Sequence, residues 1–253
     1  MNFLATLDEL NLPESEEQYF AALTGREDPG LQRWATSYHY FSVAQAKLLG
    51  LMVQRLAMTD YRSLAEVTKA LHEEYGSGKS DAVHSRLYAR FCEAIGLRAE
   101  RLPVARADVE PDVLAYLNAI EAGYRHAEIG NTMATYCFLE RSAVLSYPLM
   151  LRRLGEIGFS AAELIFFSTH VVQEAEHDEG ARHMAQRLIR SPREQRHFVD
   201  QLHRMQRAWS NFWQPFAMPE VKSVARSTKP TPIASPLRWP DMTAADAKAA
   251  SPQ

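Results

Sequence analysis

Apolar residues return every three to four positions along nearly the whole stretch from Glu14 to Phe216, and no segment alternates with the period of two expected of a half-buried strand. The spacing predicts helices over about 14–26, 31–58, 60–76, 80–96, 110–127, 130–156, 160–190 and 192–216. The expected fold is therefore all-α, a single-domain bundle of seven to eight helices occupying residues 1–218. Several boundaries have a mechanism. Ser160 with Glu163 and Ser191 with Glu194 fit the capping box, in which a hydroxyl and a carboxylate each satisfy a free backbone N–H of the first turn, and Pro192 falls where proline is tolerated. From Pro219 onward the pattern stops: prolines stand at 219, 230, 232, 236, 240 and 252 in an Ala/Ser/Thr-rich background, so 219–253 reads as a poorly ordered tail.

Four of the buried stripes are interrupted by polar groups. In the helix expected over 160–190, His170, Glu174 and His177 stand at i, i+4 and i+7 and share one face. The apolar residues Phe166, Phe167, Val171, Ala181, Met184 and Leu188 around them mark a helix that is otherwise buried. In the helix from Asp60 the stripe Leu64, Val67, Leu71 continues to Glu74, which lies near the C-terminus, where the macrodipole disfavours a negative charge. After the breaker Gly76-Ser77-Gly78, Ser80 is placed to cap a helix whose inward stripe is His84, Leu87, Phe91, Ile95. In the helix from Thr132, Glu140 is a lone carboxylate on the stripe Met133, Cys137, Val144, Leu151, and its neighbour Arg141 points elsewhere. Groups of this kind facing a core must be hydrogen-bonded, paired or bound to a cation. A polar network between helices and a metal site are the two readings the residues leave open.

Composition narrows the class of protein. The 253 residues, 46% of them hydrophobic, suffice for one well-filled core. The formal charge of −3 is mixed in sign along the chain, which leaves no basic face for nucleic acid. No window approaches 18 uncharged apolar residues, and the first residues show no leader pattern, so no membrane association is expected. Cys92 and Cys137 sit among apolar residues as reduced, buried thiols, which points to a cytoplasmic protein without disulfides.

Taken together, Glu74, Glu140 and Glu174 offer carboxylates and His84, His170 and His177 imidazoles. Mixed oxygen and nitrogen ligation without thiolate suits iron or manganese, and three carboxylates suit two divalent ions better than one. A structural zinc site would more often use cysteine, and neither cysteine has ligand spacing.

The stretch HEEYGSGKSDAVHSRLY at 72–88, the isolated Glu140 in YCFLERS and the H-x3-E-x2-H run at 170–177 resemble, in order and spacing, the haem-oxygenase-like diiron oxidases and oxygenases. The likeness spans roughly residues 60–185. It implies a haem-oxygenase-like bundle that binds no haem, with Glu74, His84, Glu140, His170, Glu174 and His177 as ligands of two Fe(II) ions and O2 as co-substrate. Many members carry Asp where this chain has Glu174, and Asp178 is a candidate extra ligand or hydrogen-bond partner of the ligands. The resemblance further implies a small-molecule substrate in a biosynthetic pathway. An amine or amino acid is favoured and fatty-acid oxidative decarboxylation is the alternative, with an external electron donor and a homodimer as further expectations.

Two other readings compete. A ferritin-like di-iron bundle needs two E-x-x-H motifs; Glu174 with His177 supplies one, but Glu194 with His197 is a poor second, since Glu194 is already the partner of Ser191. A metal-free, thiaminase-like hydrolase or small-molecule binder would rest on a nucleophilic cysteine, for which Cys137 near Glu140 is the candidate. Glu73, Glu176 and Glu179 read as solvated-face charges; His72, His126, His183, His197 and His203 as surface or packing histidines, with His183 nearest the site helix. Trp34, Tyr38, Tyr40 and Phe41 read as core packing before pocket wall.

Overall fold

The computed structural model describes residues 2–57, 60–98, 102 and 109–217, so the expected tail at 219–253 lies outside the described residues. These residues form α-helices and turns, with no strand among them. In chain order the helices are α1 (Ala5–Asp8), α2 (Glu14–Ala22), α3 (Pro29–Leu56), α4 (Tyr61–Glu74), α5 (His84–Ala94), α6 (Pro111–Tyr124), α7 (Ile129–Glu156), α8 (Ile165–Leu188) and α9 (Pro192–Ala217). Eight of them answer to the eight expected segments, and the four-residue α1 is additional.

The helix starts follow from their caps. Asp28 accepts from the Gly30 amide at 2.8 Å ahead of Pro29, and Asp60 accepts from the Arg62 amide at 3.1 Å. Both capping boxes form: the Glu163 carboxylate accepts from the Ser160 amide and Glu194 from that of Ser191, each at 2.8 Å. The Ser160 box closes a turn that precedes α8 by five residues, so the helix starts at Ile165 instead of near 160.

A second correction falls at the site itself. Ser80 caps no helix: Ser80–Ala82 is a 3-10 turn, and α5 starts at His84 with Val83 before it. Between α4 and this turn, Gly76, Ser77 and Gly78 adopt positive φ of 77°, 52° and 84°. A Cβ on Gly76 would stand 2.7 Å from the backbone of Ala82 and Val83, so only glycine lets the chain double back this tightly. The turn carries the end of α4 against the start of α5.

Helix α7 is the centre of the bundle. It packs along α8 and α9, and its residues 130–140 are buried all round. Helix α9, strongly amphipathic, buries Phe198, Leu202, Met205, Trp209, Phe212, Trp213 and Phe216 against α2, α6 and α7. One end of the core is aromatic, with Trp34 stacked on Trp213 at 6.1 Å between centroids and Phe20, Phe91 and Phe167 around them. This rigid end fixes α3, α8 and α9 and leaves the polar groups in the middle of the bundle.

Candidate metal centre

All six expected ligand residues converge, in two groups of three. Glu74, His84 and His170 form one, and Glu140, Glu174 and His177 the other, with one candidate donor atom from each residue lying within 4.8 Å of the others in its group. The first group joins the last residue of α4, the first of α5 and the second turn of α8; the second joins α7 to the next turns of α8. The i, i+4, i+7 spacing on α8 thus serves both groups.

Hydrogen bonds at the rims aim the imidazoles. His170 Nδ1 lies 2.7 Å from the carbonyl of Phe166. A carbonyl only accepts, so Nδ1 carries the proton and Nε2 is left bare toward Glu74 Oε1, 3.9 Å away. His177 works the other way round, with Nε2 held by Glu73 at 2.7 Å and Nδ1 facing both Glu140 and Glu174 at 3.6 Å. His84 Nδ1 is 3.2 Å from Glu74 Oε2, and the His84 and His170 rings meet edge-on at 4.5 Å.

Burial sets the protonation of these groups. It pushes the His170 imidazole down to about 4, so the ring is neutral at pH 7 and offers a lone pair. It pushes Glu174 up to about 8, and raises Glu140 well above the carboxylate range, reinforced by the facing charge of Glu174. For Glu74 burial acts in the same direction, but the close approach and charge of His84, with the charges of His170 and His177, outweigh it and leave the group below its usual value. Without a cation, the charge of Glu174 opposes ionisation of Glu140; a divalent ion between them would remove that conflict.

Two observations show that the residues fit metal ions. Glu174 Oε2 and His84 Nδ1 are buried without a hydrogen-bond partner, and each belongs to one of the two groups. Three imidazoles and three carboxylates also form a hard-to-borderline donor set that neutralises most of the charge of two divalent ions.

Glu74, His170, Glu140, Glu174 and His177 open on one cavity of about 80 Å³. Tyr38, Phe41, Trp209 and Phe212 supply aromatic walls, and Ser142, Ser146 and Tyr147 a polar stretch along α7. Tyr38 and Phe41 are therefore pocket wall as well as core, while Trp34 is fully buried in the aromatic end.

Some expectations change. Asp178 belongs to neither group: both its oxygens lie 3.2 Å from Arg182 Nε, and Arg141 approaches it at 3.6 Å. Glu73 is not a solvated charge but the partner of His177. Glu176 and Glu179 are exposed as expected, the former paired with Lys69. His72, His126, His183 and His203 are exposed. Glu194 accepts from the Arg190 and Ser191 amides and the Ser191 hydroxyl, which leaves no ferritin-like pair. Cys137 is buried and its thiol donates to the Ala181 carbonyl at 3.4 Å. Burial raises its pKa well above that of a free thiol, the opposite of an activated nucleophile.

A family described as iron-containing redox enzymes matches residues 32–210, the stretch that carries all six residues. A search of curated proteins gives no match. Among solved structures, a domain of unknown function with a heme oxygenase-like fold from Shewanella denitrificans aligns with a TM-score of 0.67 at 12% identity, over 85% of this chain and 88% of that one. A CADD-like protein of unknown function from Nostoc punctiforme aligns with a TM-score of 0.61 at 18% identity, over 85% and 86%. A TenA family transcription regulator from a Silicibacter species aligns with a TM-score of 0.60 at 15% identity, over 86% and 97%. At these identities the likeness shows the fold, which is haem-oxygenase-like.

Proposed function

The chain belongs to the family of iron-containing redox enzymes, and from that premise we propose that it is a non-haem diiron oxidase or oxygenase that uses O2 on a small molecule. In this reading Glu74, His84 and His170 hold one iron and Glu140, Glu174 and His177 the other. The observation that carries it is the pairing of two three-residue groups beside one cavity. One group alone would suit many mononuclear sites.

Two Fe(II) ions, when bound, supply the electrons that activate O2 against the substrate. The chain's own residues do the rest. The Phe166 carbonyl and the Glu73 carboxylate each take the outward N–H of an imidazole, fixing its tautomer and its direction before any ion arrives. Phe41, Trp209 and Phe212 keep bulk water from the inner face, and the burial they provide strengthens every charge interaction there. The serine and tyrosine hydroxyls along α7 offer the hydrogen bonds that orient a substrate. A cavity of about 80 Å³ supports a compact substrate, amine or amino acid in type, over a long fatty acyl chain.

The test is O2 consumption by the Fe(II)-loaded chain, screened across amines, amino acids and fatty acids. Substrate-triggered uptake that disappears on iron removal is the expected result. Iron-independent turnover of any of them would favour the hydrolase reading, which the buried, hydrogen-bonded Cys137 does not support.

A further inference from the structure

Glu16, on α2, is the one acid among the described residues that burial raises strongly and the metal centre does not use. Its side chain is fully buried, and both carboxylate oxygens lack a hydrogen-bond partner. Among the described residues no basic side chain pairs with it. A carboxylate in that position costs several kcal/mol if ionised and still leaves unsatisfied lone pairs if protonated. Burial, with a smaller contribution from Glu17, holds it up to about 8 against the opposing effect of Ser146.

Its surroundings point to a ligand. The Ser146 hydroxyl lies beside it, close enough to stabilise its charge but not in hydrogen-bond geometry. The charge of Glu16 is also felt by Tyr38 and Tyr116. Ser146, Tyr38 and Tyr116 all line the cavity onto which five of the six candidate ligands open. Glu16 does not line that cavity but lies next to Ser146, which does, where α2 packs on α7. A turn of the Ser146 side chain about χ1 would let Oγ donate to Glu16 while its lone pairs accept an N–H from inside the cavity. A cation seated there would supply the missing counter-charge in a low-dielectric site, where such charge-assisted bonds are strongest.

We propose that Glu16, acting through Ser146, is the positioning residue for a cationic group of the substrate, an ammonium or guanidinium, held in the cavity away from the metal-binding end. Ser146 follows Glu140 by six residues on α7, a rise of about 9 Å, so the cationic group and the reacting atom are separated by a short chain. The inference rests on the reading that this cavity receives the substrate; it does not depend on iron.

The experiment uses the metal-free chain and three probes of equal length: n-butylammonium, 1-butanol and butyrate. Binding is followed by the fluorescence of Trp209 and Trp213, which line the cavity. Wild type should bind n-butylammonium at least about tenfold more tightly than 1-butanol, the scale of one hydrogen bond to a charged group, and butyrate least of all. Glu16→Gln and Ser146→Ala should each reduce that preference to about twofold or less, with Glu16→Gln unfolding no earlier than wild type. A merely structural Glu16 would change the melting point and leave the ammonium-over-alcohol ratio untouched. No ammonium preference in wild type, or one that survives both substitutions, overturns the proposal; should Glu16→Gln fail to fold, Ser146→Ala decides alone. Iron stoichiometry is measured separately, so loss of either reading is told apart from loss of the other.

Discussion

The outward nitrogen of His177, Nε2, is bound by the carboxylate of Glu73 at 2.7 Å, while its inward nitrogen looks at two further carboxylates 3.6 Å away. A carboxylate partner on the outer nitrogen fixes the tautomer and holds the ring plane. Glu73 is itself approached by Lys69 at 3.9 Å, which links the exposed face of α4 to the interior through one side chain.

Glu73→Ala should therefore weaken metal binding at the Glu140, Glu174, His177 group by about 10–100-fold, the usual cost of removing such a partner. The Glu74, His84, His170 group should be affected far less. Competition with a chelator of known affinity resolves the two; equal affinity in wild type and variant would mean that the hydrogen bond does not orient the ligand.

Cys137 is the residue on which the hydrolase reading stands or falls. Its thiol is spent on the Ala181 carbonyl in the seam between α7 and α8. Cys137→Ser should keep iron content and turnover and lose about 1 kcal/mol of stability, as an ordinary core substitution does. Abolished turnover with full iron would reverse the assignment.

Gly130 marks where α7 crosses α9: a Cβ there would lie 2.3 Å from the Glu194 carbonyl and 3.1 Å from the His197 Cβ. Backbone cannot move aside as a side-chain tip can, so Gly130→Ala should cost about 1–3 kcal/mol or more in urea unfolding. Undiminished stability would show that the helices can separate there freely.

The raised pKa of Glu16 makes a pH-dependent difference. Its folded value of about 8 exceeds the ordinary carboxyl value of 4.5, so the native state binds the extra proton between those limits. Stability contributed by this group is complete below the unfolded value and falls as pH rises toward the folded one, by up to about 1.4 kcal/mol per pH unit. Metal-free wild type should lose stability relative to Glu16→Gln between pH 5 and 8. Parallel curves would mean that the carboxyl titrates normally.

Much of the centre was legible because buried stripes of period 3.6 expose any polar residue that interrupts them. Glu74, His84, Glu140, His170, Glu174 and His177 all stood out in this way, and all six meet. Glu73 did not, because adjacency to Glu74 puts it on the flank of α4, and its partner arrives from α8 only in three dimensions. Glu16 was hidden differently: it sits in the acidic run Glu14–Glu17 of a short helix with little amphipathic contrast, where one buried charge looks like its solvated neighbours. The start of α5 was misplaced by four residues because the 3-10 turn at Ser80–Ala82 has the composition of a helix start without its geometry. Pairing of α7 with α8, which builds the second group, leaves no local signature at all.

Anaerobic titration of Fe(II) into the metal-free chain tests the two-group centre most directly. Wild type should saturate at about two irons per chain, and His84→Ala and Glu140→Ala should each saturate near one, because each removes a donor from a different group of three. Saturation of wild type at one iron or none, or retention of both irons in the two variants, would contradict it.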